Sequence, residues 1–177
     1  KRLPKLTRLY LDRTNLESSA VAALADLGQM QVLSLSNTPL ADNELKLLSQ
    51  LQHLQYLNIT GTNVTDAELT SLVGVRSLRS LYLGGTSVTD DGLQTVGEMN
   101  QLVRLSLADT SITDDGIAQL TGLRQLSWID LSNTRVTDAC VKHLNQLPAL
   151  RNLFLSQTQL SAEGIADLKN AFPNCVL

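Results

Sequence analysis

Four sets of side chains have types and spacings that could do chemistry. Carboxylates recur as Asp66, Asp90, Asp91, Asp114, Asp115 and Asp138, a staircase at 24-residue steps. Stacked carboxylates could offer calcium its six to eight oxygen ligands. However, a calcium loop with its glycine and closing glutamate is absent, and Asp66, Asp90, Asp114 and Asp138 each follow a threonine at a helical boundary. An oxygen there accepts from the unpaired N–H groups of a first turn, so these residues read as helix caps and not as metal ligands. His53 and His143 have no spacing that joins them in a metal site or pairs either with Cys140, and both are expected on the surface. Two cysteines make no disulfide framework. Cys140 occupies a position held elsewhere by Ala20, Gly92, Gly116 and Gly164, which suits a small, partly buried residue. No nucleophile–base–acid set, phosphate loop or zinc spacing occurs. The expectation is a chain that is not an enzyme and takes no cofactor and no metal. The fourth set is aromatic. Five of the six aromatics (one Trp, three Tyr, two Phe) fall at the two variable positions of one recurring pattern.

That pattern supplies the elements that must position these groups. Leu6, Met30, Leu54, Leu78, Leu102, Leu126 and Leu150 recur every 24 residues without insertion or deletion. Each opens an L-x-x-L-x-L stretch whose alternation predicts a strand with one buried face. A threonine follows in every copy: Thr14, Thr38, Thr62, Thr86, Thr110, Thr134 and Thr158. After an aliphatic residue the spacing changes to three, as in Ile117-x-x-Leu120-x-x-Leu123, which predicts a helix of about two turns. Thr65 with Glu68 fits a capping box. Each unit is too small to bury its own apolar face, so the copies must stack into one α/β solenoid domain spanning residues 1–177. Residues 1–5 read as the tail of a preceding repeat or linker, because Leu3-Pro4-Lys5-Leu6 matches Leu147-Pro148-Ala149-Leu150. Residues 172–177 read as a C-terminal cap, with Cys175-Val176-Leu177 in register to begin an eighth strand.

The L-x-x-L-x-L-x-x-T-x-V-T-D-x-G-L pattern, clearest over Leu78–Leu93 and Leu102–Ile117, resembles leucine-rich repeats. The resemblance implies a right-handed, horseshoe-like solenoid with a parallel sheet on the concave side and short helices on the convex side. Threonine stands where many such repeats carry an asparagine ladder. The seven hydroxyls are expected to form a structural ladder, donating to turn carbonyls. The T-D-x-G-L helix start is similar to bacterial arrays of the planctomycete type, and also to F-box-type repeats. The segment Leu168–Cys175 looks like the end of a bacterial group whose array follows a cytochrome-c-like domain, which would imply an extracytoplasmic setting. No C-x-x-C-H haem motif occurs in this chain.

With the leucines inward, two columns face the concave side. The first holds Arg8, Tyr56, Arg104 and Trp128, and the second holds Tyr10, Tyr82, Asp130 and Phe154. These eight residues are the expected partner contacts. Neighbouring strands lie about 4.8 Å apart, so seven strands span about 34 Å, and Tyr56/Tyr82 and Trp128/Phe154 become two diagonal pairs. Arg104, one strand from Trp128, is within reach of a cation–π contact. Tyr, Trp and Arg anchor protein interfaces, and a broad shallow face suits a protein. Two other readings stay open: rings that only stabilise the sheet through cross-strand pairs, and rings that stack on sugars.

Net charge is −3, which argues against a nucleic-acid partner, and no apolar run suffices to span a bilayer. The expected partner is a protein, with an upstream domain of the same chain as the alternative, and the expected state is a monomer. Sticking through the uncapped first repeat is what an isolated segment would do. The triplets at Asn58 and Asn63 fit glycosylation acceptors and would matter only in a glycosylating secretory pathway.

Overall fold

A computed structural model describes residues 5–41 and 43–176, so the sequence reading of residues 1–4 and of Leu177 lies outside them. The elements alternate along the chain. Strand β1 (Arg8–Tyr10) leads to helix α1 (Ser18–Ala25), β2 (Val32–Ser34) to α2 (Glu44–Leu48), and β3 (Tyr56–Asn58) to α3 (Asp66–Leu69). Then follow β4 (Ser80–Tyr82), α4 (Asp90–Gly97), β5 (Arg104–Ser106), α5 (Asp114–Gln119) and β6 (Trp128–Asp130). A 3-10 turn (Asp138–Cys140) runs into α6 (Val141–Leu144), and β7 (Asn152–Phe154) precedes α7 (Ala162–Ala171). The strands form one parallel sheet in chain order, β1 to β7.

The unbroken period fixes the register. Leu9, Leu33, Leu57, Leu81, Leu105, Ile129 and Leu153 align as the middle residues of their strands. From Leu33 onward these middle residues are fully buried. Leucines and valines of the helical halves, such as Leu93, Val96, Leu120 and Leu144, close the core from the other side. Leu6, Leu9, Leu11 and Leu16 are only half-buried, as are Leu155, Leu160 and Phe172 at the other end. Val176 forms a parallel bridge with Asn152, one repeat length back, which is the start of pairing expected there. Among the described residues no helix is long and apolar enough to cross a membrane.

Two details hold the turns. The threonine hydroxyls of six repeats donate to the carbonyl three residues earlier, at 2.6 Å for Thr14, Thr62, Thr86 and Thr134, 2.5 Å for Thr110 and 2.7 Å for Thr158. Thr38 differs, donating instead to the Leu11 carbonyl of the preceding repeat at 2.9 Å. The residue before each threonine is left-handed: Arg13, Asn37, Gly61, Gly85, Asp109, Asn133 and Gln157 have φ between 54° and 67°. Sequence reading did not find this column, because only its glycines, asparagines and aspartate carry the usual signal.

The aspartates correct the expectation placed on them. Asp66, Asp90, Asp114 and Asp138 reach across to the following repeat instead of capping their own helices. Asp66 accepts from the Thr89 N–H at 2.8 Å and from its hydroxyl at 2.6 Å. Asp90 does the same for Thr113 (2.9 and 2.6 Å), Asp114 for Thr137 (2.9 and 2.7 Å) and Asp138 for Ser161 (2.8 and 2.6 Å). As the carboxylates stand, a Cβ at Gly92, Gly116 or Gly164 would collide with Asp66, Asp90 or Asp138, yet Cys140 fills the equivalent position beside Asp114 with the clamp intact. In the second and third repeats a glutamate also accepts within its own repeat, and Glu68 with Thr65 forms the expected capping box. Glu44 accepts from Ala41 N–H at 2.7 Å, and Glu68 from Thr65 N–H at 3.0 Å.

Candidate functional site

Each strand is three residues long, with its middle residue inward, so its first and third residues are left on the open face of the sheet. This local rule places the two variable columns side by side. Register sets Arg8, Val32, Tyr56, Ser80, Arg104, Trp128 and Asn152 in one row, and Tyr10, Ser34, Asn58, Tyr82, Ser106, Asp130 and Phe154 in the other.

The rings do not sit as two separate pairs. Tyr56 and Tyr82 have centroids 5.1 Å apart and Trp128 and Phe154 5.3 Å, but Tyr82 also meets Trp128 at 5.8 Å. The four rings form one run, each tilted 41–49° to the next. The middle contact crosses β5. Tyr82 and Trp128 stand two strands and two residues apart, about 12 Å between Cα positions. Their rings close that gap by leaning over Ser106, which is only 7% exposed although it lies on the open face. Ring pairs of this geometry add about 0.5–1.5 kcal/mol each beyond the area they bury.

The remaining candidates stand around this run. Tyr10 is 61% exposed on the edge strand, and Phe154 is 37% exposed at the other end. Tyr56, Tyr82 and Trp128 are half-buried. Burial pushes the Tyr56 phenol above its ordinary value; Tyr82, Tyr10 and Asp12 add to the effect and a hydrogen bond with Asn58 opposes it. Arg8 and Arg104 are exposed, and Arg104 pairs in register with Trp128, whose ring is flanked by Tyr82 and Phe154. Asp130 has part of its carboxylate engaged: it accepts from Ser132 N–H at 3.0 Å and shapes the strand exit, as Asn58 does for Thr60.

The other reactive groups lie away from this face. His53 is exposed, whereas His143 is half-buried and not fully on the surface as expected. Both cysteines are free. Among the described residues no three of His, Cys, Asp and Glu come together as a metal-holding group.

A family model described as "Leucine-rich repeat region" matches residues 2–176. The fold is similar to the crystal structure of internalin C2 from Listeria monocytogenes, with TM-score 0.72 and 24% identity over 93% of this chain and 68% of that one. It is also similar to a leucine-rich repeat protein of Leptospira interrogans, with TM-score 0.66 and 18% identity over 98% of this chain. This chain spans about half the length of the Leptospira protein, covering 48% of it. No curated protein matches the chain.

Proposed function

The chain belongs to the leucine-rich repeat family, whose domains commonly mediate protein–protein interaction without catalysis, and from that premise we propose that it is a non-catalytic module binding a protein through its concave sheet face. The observation that carries this reading is the continuous run of Tyr56, Tyr82, Trp128 and Phe154 on a face whose other residues, Tyr10 and Val32 apart, are Ser, Asn, Asp and Arg. Such a surface offers apolar crevices between tilted rings, where a partner's side chains are desolvated, and a polar surround that orients them. Trp128, with a ring on each side, is the central anchor. Phe154 and Tyr82 form its walls, Arg104 and Asp130 orient the partner, and Tyr10 and Arg8 extend the contact toward the N-terminal end. The threonine column serves the scaffold and not the partner.

The test is affinity capture from the source organism's lysate with the parent and a Tyr56/Tyr82/Trp128/Phe154→Ser variant side by side. A protein held by the parent and lost by the folded variant supports the face. Equal capture assigns the rings to sheet stabilisation alone. With the partner in hand, Trp128→Ala weakens binding by about 2 kcal/mol or more while the fold is retained. Calorimetric titration of the two proteins checks this, and equal affinity removes Trp128 from the site.

A second reading rests on the ending Leu168–Cys175: an appendage that docks an upstream cytochrome-c-like domain of its own chain in an extracytoplasmic protein. Two of the similar solved structures come from bacteria, in keeping with a bacterial array. The gene decides it, since a C-x-x-C-H motif upstream of Lys1 favours the redox appendage and an F-box segment there favours a ubiquitin-ligase factor.

A further inference from the structure

The charges of this chain are sorted, although its net charge is only −3. The six residues that close each repeat and open its strand (27–32, 51–56, 75–80, 99–104, 123–128 and 147–152, with 3–8 before them) contain none of the 17 Asp and Glu. They do contain half of the 14 Lys and Arg. Arg8, Arg76, Arg79, Arg104, Arg124 and Arg151 are all exposed, and Lys5 is exposed beside them. Arg8 and Arg104 open β1 and β5 on the open face, Arg79 and Arg151 immediately precede β4 and β7, and Lys5, Arg76 and Arg124 lie three or four residues before β1, β4 and β6, so all seven gather at the lip where the strands begin. The opposite lip carries Asp12 and Asp109, each already engaged: Asp12 accepts from Ser36 N–H at 2.8 Å, and Asp109 from Asn133 at 2.7 Å. Most other carboxylates lie in the helical halves on the convex side.

Two of these arginines are held in place. Arg79 Nη1 donates to the Arg76 carbonyl at 2.9 Å and Arg151 Nη1 to the Leu150 carbonyl at 2.7 Å. One nitrogen anchors each guanidinium, and its other donors remain for a carboxylate, which this planar fork fits bidentately. Screening limits surface charges to about 8 Å in physiological salt, so the lip acts on groups laid directly on it and not at long range.

We infer that the concave face takes an acidic, apolar segment of its protein partner, with apolar side chains on the ring run and carboxylates on the basic lip. This rests on the binding reading above and adds the partner's chemistry. The ring run from β3 to β7 spans four strand steps, about 19 Å, which an extended chain covers in about six residues. Nucleic acid fits less well, because Tyr82 and Trp128 are each flanked by rings on two sides and present no free platform for a base.

The test uses blocked eight-residue peptides that alternate Phe or Leu with Glu, Gln or Lys, and an oligothymidylate. Binding is followed by emission of Trp128, the sole tryptophan, and by calorimetry. The Glu peptide is expected to bind about tenfold or more tighter than the Gln peptide at about 0.15 M salt, with the gap closing at about 1 M. An Arg76→Glu/Arg79→Glu/Arg124→Glu variant, its fold checked by circular dichroism, is expected to lose that preference and keep Gln-peptide binding. Equal Glu and Gln binding that the ring-to-serine variant abolishes leaves the face standing and overturns the acidic segment. Glu-peptide binding that survives ring replacement instead overturns the ring face. Tighter binding of the Lys peptide or the oligothymidylate, or no Glu-peptide binding up to about 1 mM, overturns the inference.

Discussion

The threonine hydroxyl does work at this turn that an isosteric methyl cannot. Thr86 donates to the Leu83 carbonyl at 2.6 Å in a half-buried turn, and valine would keep the volume and lose the donor. Thr86→Val is expected to cost about 1 kcal/mol, read as a lower urea midpoint at constant slope; an unchanged midpoint would sink the assignment. Cys140 shows the opposite case, a polar group made inert by its place. Burial pushes its thiol up to about 12, and the carboxylates of Asp114 and Asp138 add to this. At pH 8 the thiolate, which is the reactive form, is therefore scarce. Cys175 is also raised by burial, but less enclosed and opposed by Arg151. A disulfide-exchange reagent at pH 8 should label Cys175 alone in the folded protein and both thiols in denaturant. Rapid native labelling of Cys140 would show that its pocket opens.

A repeat is held to its neighbour by devices that sequence patterning reveals unevenly. The strand is legible because alternation of leucine has one reading, and the short helix because spacing changes to three. The left-handed residue before each threonine is hidden, since Arg13 and Gln157 adopt it as well as Gly61 and Gly85. There the fold overrides local preference at a cost of about 1–2 kcal/mol for a residue with a Cβ. At Gly85 an added Cβ would meet only ordinary contacts, the nearest being Gly61 Cα at 3.7 Å, so φ alone decides the outcome. Gly85→Ala should lower stability by about 1 kcal/mol, and Gln157→Gly should raise it by less, because glycine also loosens the unfolded chain. Thermal unfolding of both variants checks the pair; a neutral Gly85→Ala contradicts it. The aspartate clamp was equally hidden, because a Thr-Asp start looks like a cap whether the carboxylate turns inward or to the next repeat. Ser161 hydrogen bonds, from hydroxyl and then N–H, hold the Asp138 carboxyl below its usual range. A depressed folded value means stabilisation that is complete above the unfolded value of about 3.9 and lost as pH falls through the folded one. The melting difference between parent and Asp138→Asn should therefore be constant above about pH 5 and close below about pH 4; a gap that persists in acid would refute the clamp.

At the scale of the whole molecule, stability and binding both follow from repeats that touch only their neighbours. The sheet order β1 to β7 follows the chain, so each inner strand is supported by the one before and the one after. The unbroken period made this architecture legible from the sequence, and the column arithmetic placed Tyr56, Tyr82, Trp128 and Phe154 on one face. The closing of Tyr82 onto Trp128 was not legible, since it depends on how two rings lean across Ser106, a side-chain event that strand spacing does not encode. Support from two sides also predicts where the array opens. Leu9 and Leu11 in the first repeat are half-buried, whereas Leu81, Leu83, Leu105 and Leu107 are fully buried. Hydrogen exchange of the free protein should be slowest in β4, β5 and β6 and faster in β1, because opening an end repeat breaks one interface and opening a middle repeat breaks two. A partner laid across the ring run bridges β3 to β7 and couples repeats that otherwise communicate only through neighbours. Its binding should therefore slow exchange in β7 nearly to the level of β5 and slow β1 less, because only Arg8 and Tyr10 reach the partner there. Protection that rises only on the convex helices, or equally in β1 and β7, would place the partner elsewhere.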